Sequence, residues 1–216
     1  MAKIAVTSLA VMMFAVSCGN DEEEPENGNN EDELPTSTFD GKITAIVENG
    51  DDYNSTVTKV EALSLSNNIG DGDNLVAYGN YSNGGFILTL PPTPDEKFLF
   101  SIADDVFDER LSVSDKTTML CQVSFYAFSS SEELVDDIIY GKFDTNSYSN
   151  VVFWYADKDV TIIGSIVNNS NRTQNYKISL KRGWNMLYHT NTGTVSEYST
   201  EAVSGLKWYF EEKFEW

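Results

Sequence analysis

The chain has 216 residues and a formal net charge of -20 at pH 7, because 34 acidic residues outnumber 14 basic ones. Nucleic acids and anionic lipid surfaces are bound through clusters of lysine and arginine, so this charge excludes both as main partners. The single histidine, His189, excludes a multi-histidine metal site within one chain, and two cysteines supply no disulfide framework. The sequence predicts no cofactor.

The N-terminal segment has the pattern of an export signal. Lys3 precedes a mostly apolar run, residues 4–16, which is shorter than the about 20 residues needed to cross a bilayer. The run ends in Ala15-Val16-Ser17-Cys18, which resembles the bacterial lipoprotein cleavage site. We predict a signal peptide over residues 1–17 and a mature Cys18 carrying fatty acyl chains such as palmitate, since stable anchoring needs more than one chain. An ordinary signal peptide with a chance cysteine is the alternative.

We predict that residues 18–35 form a disordered acidic spacer that follows the lipid anchor in the chain. Residues 19–35 contain no basic residue and no apolar residue before Leu34. Its acidic residues are Asp21, Glu22, Glu23, Glu24, Glu26, Glu31, Asp32 and Glu33. Such a composition cannot bury enough apolar surface to offset the entropy of ordering, and its like charges extend the chain.

The first half of the remaining chain alternates apolar and polar residues. This alternation predicts strands at residues 39–48, 56–65, 75–81, 85–90, 98–102 and 118–128. Asn83-Gly84 lies between two of them and predicts a hairpin turn. In the last strand, Cys121 shares the apolar face with Val123 and Phe125, which predicts a buried, inert thiol.

In the second half, a serine followed by Glu132 and Glu133 predicts a short helix over residues 129–137, and residues 144–150 predict a loop. Strands are predicted at residues 138–143, 151–156, 160–167, 176–181, 184–190, 194–200 and 206–212, with a bulge or a bend at Gly183. We therefore predict an all-β domain over residues 36–216, an antiparallel β-sandwich, Ig-like or related, of ten to twelve short strands. An antiparallel barrel, and a split into two lobes near residue 128, are the alternatives.

Acidic pairs are the weak candidates for calcium binding. Asp71 and Asp73 have the spacing that begins an EF-hand loop, but its twelfth position is Ser82 rather than the bidentate glutamate. Asp157 and Asp159 form a second pair. In a chain this acidic, solvated loop carboxylates are the favoured interpretation.

Aromatic residues are the weak candidates for ligand binding, because exposed rings stack on sugars. The tryptophans are Trp154, Trp184, Trp208 and Trp216, with Tyr53, Tyr148 and Tyr198 in turn-like regions. Most tryptophans in a sandwich of this size are core residues, and Trp184 is predicted to pack inside a bent strand. The chain has no Gly-x-Ser-x-Gly motif to pair with His189, so a surface histidine at a strand end is predicted there.

Three further stretches carry a family resemblance. They are residues 84–91, residues 155–164, and residues 180–185 together with 207–210. With the lipoprotein-like cleavage site and the acidic residues behind Cys18, the chain resembles uncharacterised surface lipoproteins of gut Bacteroidetes. The resemblance implies an all-β domain anchored by its N-terminal lipid in the outer membrane and facing the extracellular side. It implies no activity and no functional residues.

The expected function follows from these exclusions. No nucleophile or metal motif is present, so we expect a non-enzymatic binding or assembly module with a glycan or surface-protein partner. The alternative is a glycan-binding accessory protein of a polysaccharide-uptake system, which predicts an exposed row of two or more aromatics. A hydrolase, built on paired carboxylates in a deep pocket, ranks third.

Overall fold

A computed structural model describes residues 39–65, 74–103, 108–168 and 171–211, which belong to one compact unit. These residues form an all-β fold with fourteen strands and two short 3-10 helices, Gly50–Tyr53 and Glu96–Phe98. The predicted signal peptide, the spacer with Cys18, Asp71, Asp73 and Trp216 lie outside the described residues.

The strands form one mostly antiparallel sheet that is open at both ends. In chain order they are β1 (Lys42–Ile46), β2 (Lys59–Ser64), β3 (Leu75–Ser82), β4 (Gly85–Thr89), β5 (Phe100–Ser101), β6 (Ser112–Val113), β7 (Met119–Phe128), β8 (Leu134–Asp144), β9 (Ser147–Ala156), β10 (Val160–Val167), β11 (Thr173–Leu180), β12 (Gly183–Asn191), β13 (Val195–Ser199) and β14 (Lys207–Phe210). Their order is β1-β4-β3-β2-β7-β8-β9-β12-β13-β11-β10-β6, with β14 paired to β8 and β5 to β7. The sheet does not close on itself, so the architecture is the predicted sandwich. Strand β6, which has only two residues, is the strand that no predicted segment covers.

The predicted hairpin is confirmed between β3 and β4. Asn83 and Gly84 both have positive φ, 51° and 70°, as a type I′ turn requires at its two central residues. The amide of Gly84 donates to the side-chain oxygen of Asn54 at 3.0 Å, which fixes the turn against the neighbouring loop. The Asn-Gly pair therefore sets the register in which Tyr81 faces Phe86.

Two hydrophobic cores lie on opposite faces of the central strands β7, β9 and β12. Cys121, Val123 and Phe125 of β7 face the first core, as predicted, together with side chains from β1 to β4. Trp154 of β9 faces the second core, between β7, β9, β12, β11 and β10. Segments from before residue 128 contribute to both cores, for example Ile102 to the second. Residues before and after position 128 thus pack together in the same cores.

The helix predicted for residues 129–137 is wrong. Residues 129–133 form a turn in which the hydroxyl of Ser129 accepts from the amides of Ser131 and Glu133, each at 3.3 Å. Strand β8 begins at Leu134 and pairs with β7. The serine caps a turn rather than a helix because cross-strand pairing outweighs a weak local propensity. The loop predicted over residues 144–150 is also too long, since β9 begins at Ser147.

Among the fourteen described strands, one pairing is parallel. Strand β13 lies between β12 and β11, antiparallel to the first and parallel to the second. The predicted bend at Gly183 is confirmed, with φ 104°. Trp184 follows the bend and packs in the first core, as predicted.

Candidate functional site

Three of the four candidate tryptophans are core residues and present no face to a ligand. Trp154, Trp184 and Trp208 are 7%, 4% and 8% exposed. The indole nitrogen of Trp184 donates to the backbone oxygen of Pro91 at 2.7 Å. These rings lie on inward positions of their strands, where burying a large aromatic surface stabilises the fold. The weak sequence-based hypothesis that sugars stack on these three tryptophans is therefore wrong.

The described acidic candidates have structural partners. Asp157 accepts from the amide of Met119 at 2.8 Å. Asp159 accepts from the amide of Arg182 at 2.8 Å and from the ammonium of Lys181 at 3.1 Å, and both interactions lower the pKa of Asp159. Within the described ranges, no group of three or more His, Cys, Asp or Glu side chains could hold a metal ion. These two carboxylates thus fasten turns to the rest of the sheet.

The two candidate reactive side chains are buried in different degrees. Cys121 is fully buried, and burial raises the pKa of its thiol to about 11, which disfavours the thiolate. His189 was expected at the surface but is partly buried within β12, because its ring packs between neighbouring aromatics. Burial lowers the pKa of His189, and its Nδ1 lies 3.2 Å from the side-chain oxygen of Asn150.

An aromatic ladder crosses three adjacent strands at this histidine. His189 of β12 pairs with Tyr198 of β13, which pairs with Tyr176 of β11. The ring centroids lie 4.4 Å apart for His189 and Tyr198 and 4.9 Å apart for Tyr198 and Tyr176, with nearly parallel planes. Tyr148 contacts His189 edge-on at 5.4 Å. Because Tyr198 is stacked between His189 and Tyr176, both faces of its ring are covered and it presents no flat platform to a ligand.

A groove runs beside the ladder across the same face of the sheet. One hollow, of about 260 Å³, is lined by Gln122, Val152, Trp154, Tyr176, Ile178, Leu187 and Tyr198. A second hollow, of about 250 Å³, shares Gln122 and Val152 and is also lined by Ser124, Asp137, Ile139, Asn150 and Glu211, among others. We call the two hollows together the cross-strand groove.

The second hollow exists because β7 and β9 diverge. The two strands pair directly from Leu120 to Val123 of β7. Beyond that point β8 enters between them, pairing with β7 at Phe125 to Phe128 and with β9 from Gly141 onward. The divergence leaves a depression on the face that the first core does not cover.

A pair of carboxyl groups forms one wall of this hollow. The antiparallel register of β14 on β8 places Phe210 opposite Ile138, and one more step places Glu211 opposite Asp137. Both side chains line the second hollow. Burial, then the charges of Glu211 and Asp136, raise the pKa of Asp137 to about 6.

A wider and shallower hollow, of about 500 Å³, lies over β1 and β4. Its lining includes the exposed Ile46 and Ile87 together with Thr44 and Asn80, and no charged side chain. Ser82 and Asn83 also line it. Because this hollow is the most open of the three, the more enclosed cross-strand groove is the better candidate site.

Comparison of the chain with protein-family models, with curated proteins and with solved structures finds no match. In the part of the chain that the structure describes, no helix has the length and apolar character needed to cross a membrane. The sequence had not indicated the ladder or the carboxyl pair. The sequence names Tyr148 and Tyr198 as weak candidates for sugar stacking and predicts a helix around Asp137. It does not bring these residues together, because strand register decides which side chains meet.

Proposed function

We propose that this protein is a non-enzymatic binding module held on the outer face of the outer membrane by a lipid on Cys18. Support for the anchoring comes from the short apolar run before Cys18, the acidic segment after it and the resemblance to surface lipoproteins of Bacteroidetes. The all-β domain of the described residues would carry the binding site.

The observation that carries the binding proposal is the cross-strand groove. Its floor is apolar, made by Val152, Ile178 and Leu187, whereas its rim carries the amide of Gln122 and the ladder tyrosines. Ligand sites combine an apolar floor with a few convergent polar groups in this way. The contiguous carboxyl pair gives the groove an acidic end.

Glycan binding is the second candidate, and the groove's rim favours it. Tyrosine hydroxyls and an amide around an apolar floor can hydrogen-bond a sugar whose apolar face lies on Val152 and Leu187. Because the ladder rings cover one another, we expect recognition by hydroxyl groups and ring edges instead of stacking. Anionic sugars are disfavoured, since the acidic end of the groove repels them.

The test is a glycan-array screen of the purified full chain, followed by one blocking variant. Val152→Trp places a large side chain on the groove floor, whereas Val167→Trp adds the same side chain at an exposed position of β10 outside the groove lining. We expect binding of an array hit to be lost with the first variant and kept with the second, at unchanged circular dichroism. Equal binding by both variants would contradict the groove assignment, and a blank array would refute the glycan candidate.

A further inference from the structure

Two side-chain amides in the cross-strand groove have unused hydrogen-bonding groups. Gln122 of β7 and Asn150 of β9 both line the second hollow, and Gln122 lines the first hollow as well. With the residues that the structure describes, the side-chain amide of Gln122 forms no hydrogen bond, and that of Asn150 forms one, with His189. An amide offers two N–H donors and a carbonyl acceptor, so both side chains keep groups with which to bind a ligand.

The hydrogen bond between Asn150 and His189 fixes how the asparagine amide is turned. The Nδ1 of His189 lies 3.2 Å from Oδ1 of Asn150, and the histidine nitrogen is the donor because a carbonyl oxygen only accepts. The ring proton is therefore on Nδ1, and Nε2, which is buried without a hydrogen-bond partner among the described residues, is the unprotonated nitrogen. With Oδ1 turned to the ring, Nδ2 of Asn150 faces away from it, toward the hollow that Asn150 lines.

The ring of His189 is itself held by its neighbours. It is stacked on Tyr198 with centroids 4.4 Å apart, and Tyr148 contacts it edge-on at 5.4 Å. Burial lowers the pKa of His189, so the ring is neutral near pH 7 and adds no charge to the groove. A ring held in this way orders the side chain of Asn150 before a ligand arrives, which reduces the entropy lost on binding.

We propose that His189 is a positioning residue of the cross-strand groove: it holds Asn150 so that Nδ2 points into the second hollow, where Asn150 and Gln122 bind hydroxyl groups of a neutral glycan. The inference rests on the proposed function, because it assigns the occupant and the polar contacts of the same groove. Its new content is the pair of amides and the residue that orients one of them.

The chemistry of the groove selects a neutral glycan over other ligands. Amides donate and accept hydrogen bonds without carrying charge, as sugar hydroxyls also do. The carboxyl groups of Asp137 and Glu211 line the same hollow and disfavour an anionic ligand. An extended peptide binds by adding to the edge of a sheet, whereas β7, β9 and β12 are paired with other strands on both sides and offer the ligand side chains only.

The positioning can be measured without a ligand, because His189 is the only histidine of the chain. A long-range proton–nitrogen NMR spectrum of the isotopically labelled full chain at pH 7 shows one imidazole, and the shifts of its two nitrogens identify the protonated one. We expect the proton on Nδ1. A proton on Nε2 would overturn the positioning, because Nδ1 could then not donate to Asn150.

The contacts are tested on a glycan array that carries neutral and anionic glycans. Asn150→Asp keeps an oxygen that accepts from His189 but loses the Nδ2 donors, so we expect binding of neutral glycans to weaken about tenfold. Asn80→Asp makes the same chemical change in the hollow over β1 and β4 and should bind as the wild type does. His189→Leu removes the donor to Asn150 and should also weaken binding, whereas His189→Gln supplies another N–H donor and should restore most of it.

Each contrary result identifies the step that fails. Neutral glycans that bind Asn150→Asp as tightly as the wild type would refute the role of Asn150, and equal weakening by His189→Leu and His189→Gln would refute positioning by a donor. Binding confined to anionic glycans would refute the assigned occupant, and a blank array would refute it together with the glycan candidate. Because the NMR measurement uses no ligand, failure of the positioning and failure of the proposed function are separate results.

Discussion

Replacing Asp137 with asparagine should stabilise the protein at neutral pH. The pKa of this carboxyl rises from 3.8 to about 6 on folding, so the folded state holds its proton more tightly than the unfolded chain. Proton binding at Asp137 therefore contributes to the free energy of unfolding. This contribution is complete below about pH 4 and is lost as the pH rises to about 6. A shift of about two units corresponds to at most about 3 kcal/mol, and solvent screening of this partly buried group reduces it to about 1–2 kcal/mol.

The assay is urea unfolding of wild type and Asp137→Asn at pH 4 and pH 7, followed by the fluorescence of the buried tryptophans. We expect the variant to exceed the wild type by about 1–2 kcal/mol at pH 7, with the difference shrinking toward pH 4. His189 titrates in the opposite sense, because its lowered pKa costs stability on acidification, but it is present in both proteins and cancels in the difference. A variant equal to or less stable than the wild type at pH 7 would refute the reasoning.

Two further predictions address the hairpin and the anchor. Gly84→Ala should lower the free energy of unfolding by about 1–2 kcal/mol in urea titrations. The reason is that alanine is strained at φ 70° and its Cβ would lie 3.0 Å from the side chain of Asp51. Gly205→Ala is the control, because Gly205 also has a positive φ but has open space around it, so the comparison separates backbone strain from the close contact. Cys18→Ala should move the protein from the membrane fraction to the soluble fraction of cells, and unchanged fractionation would contradict the lipid anchor.

Local patterns predicted much of the fold. The alternation of β7 with a period of two residues correctly predicted that Cys121, Val123 and Phe125 share one face. The pair Asn83-Gly84 correctly predicted the turn between β3 and β4. Both features depend only on neighbouring residues. The same local reasoning failed at residues 129–133, where the pairing of β8 with β7 overrode a helix signal.

The site depends on contacts that no local pattern contains. His189, Tyr198 and Tyr176 meet because β13 inserts between β12 and β11, and one of the two pairings is parallel. Asp137 meets Glu211 across 74 positions of sequence through the register of β14 on β8. Topology and register, rather than residue type, assemble the cross-strand groove.

The most direct test of the groove is a map of amide chemical shifts during titration with the glycan that binds best on the array. The account predicts that the shifted amides cluster at Gln122, Val152 and Tyr198, along the cross-strand groove. Shifts confined to Thr44, Ile46 and Ile87 would contradict it and place the site in the hollow over β1 and β4.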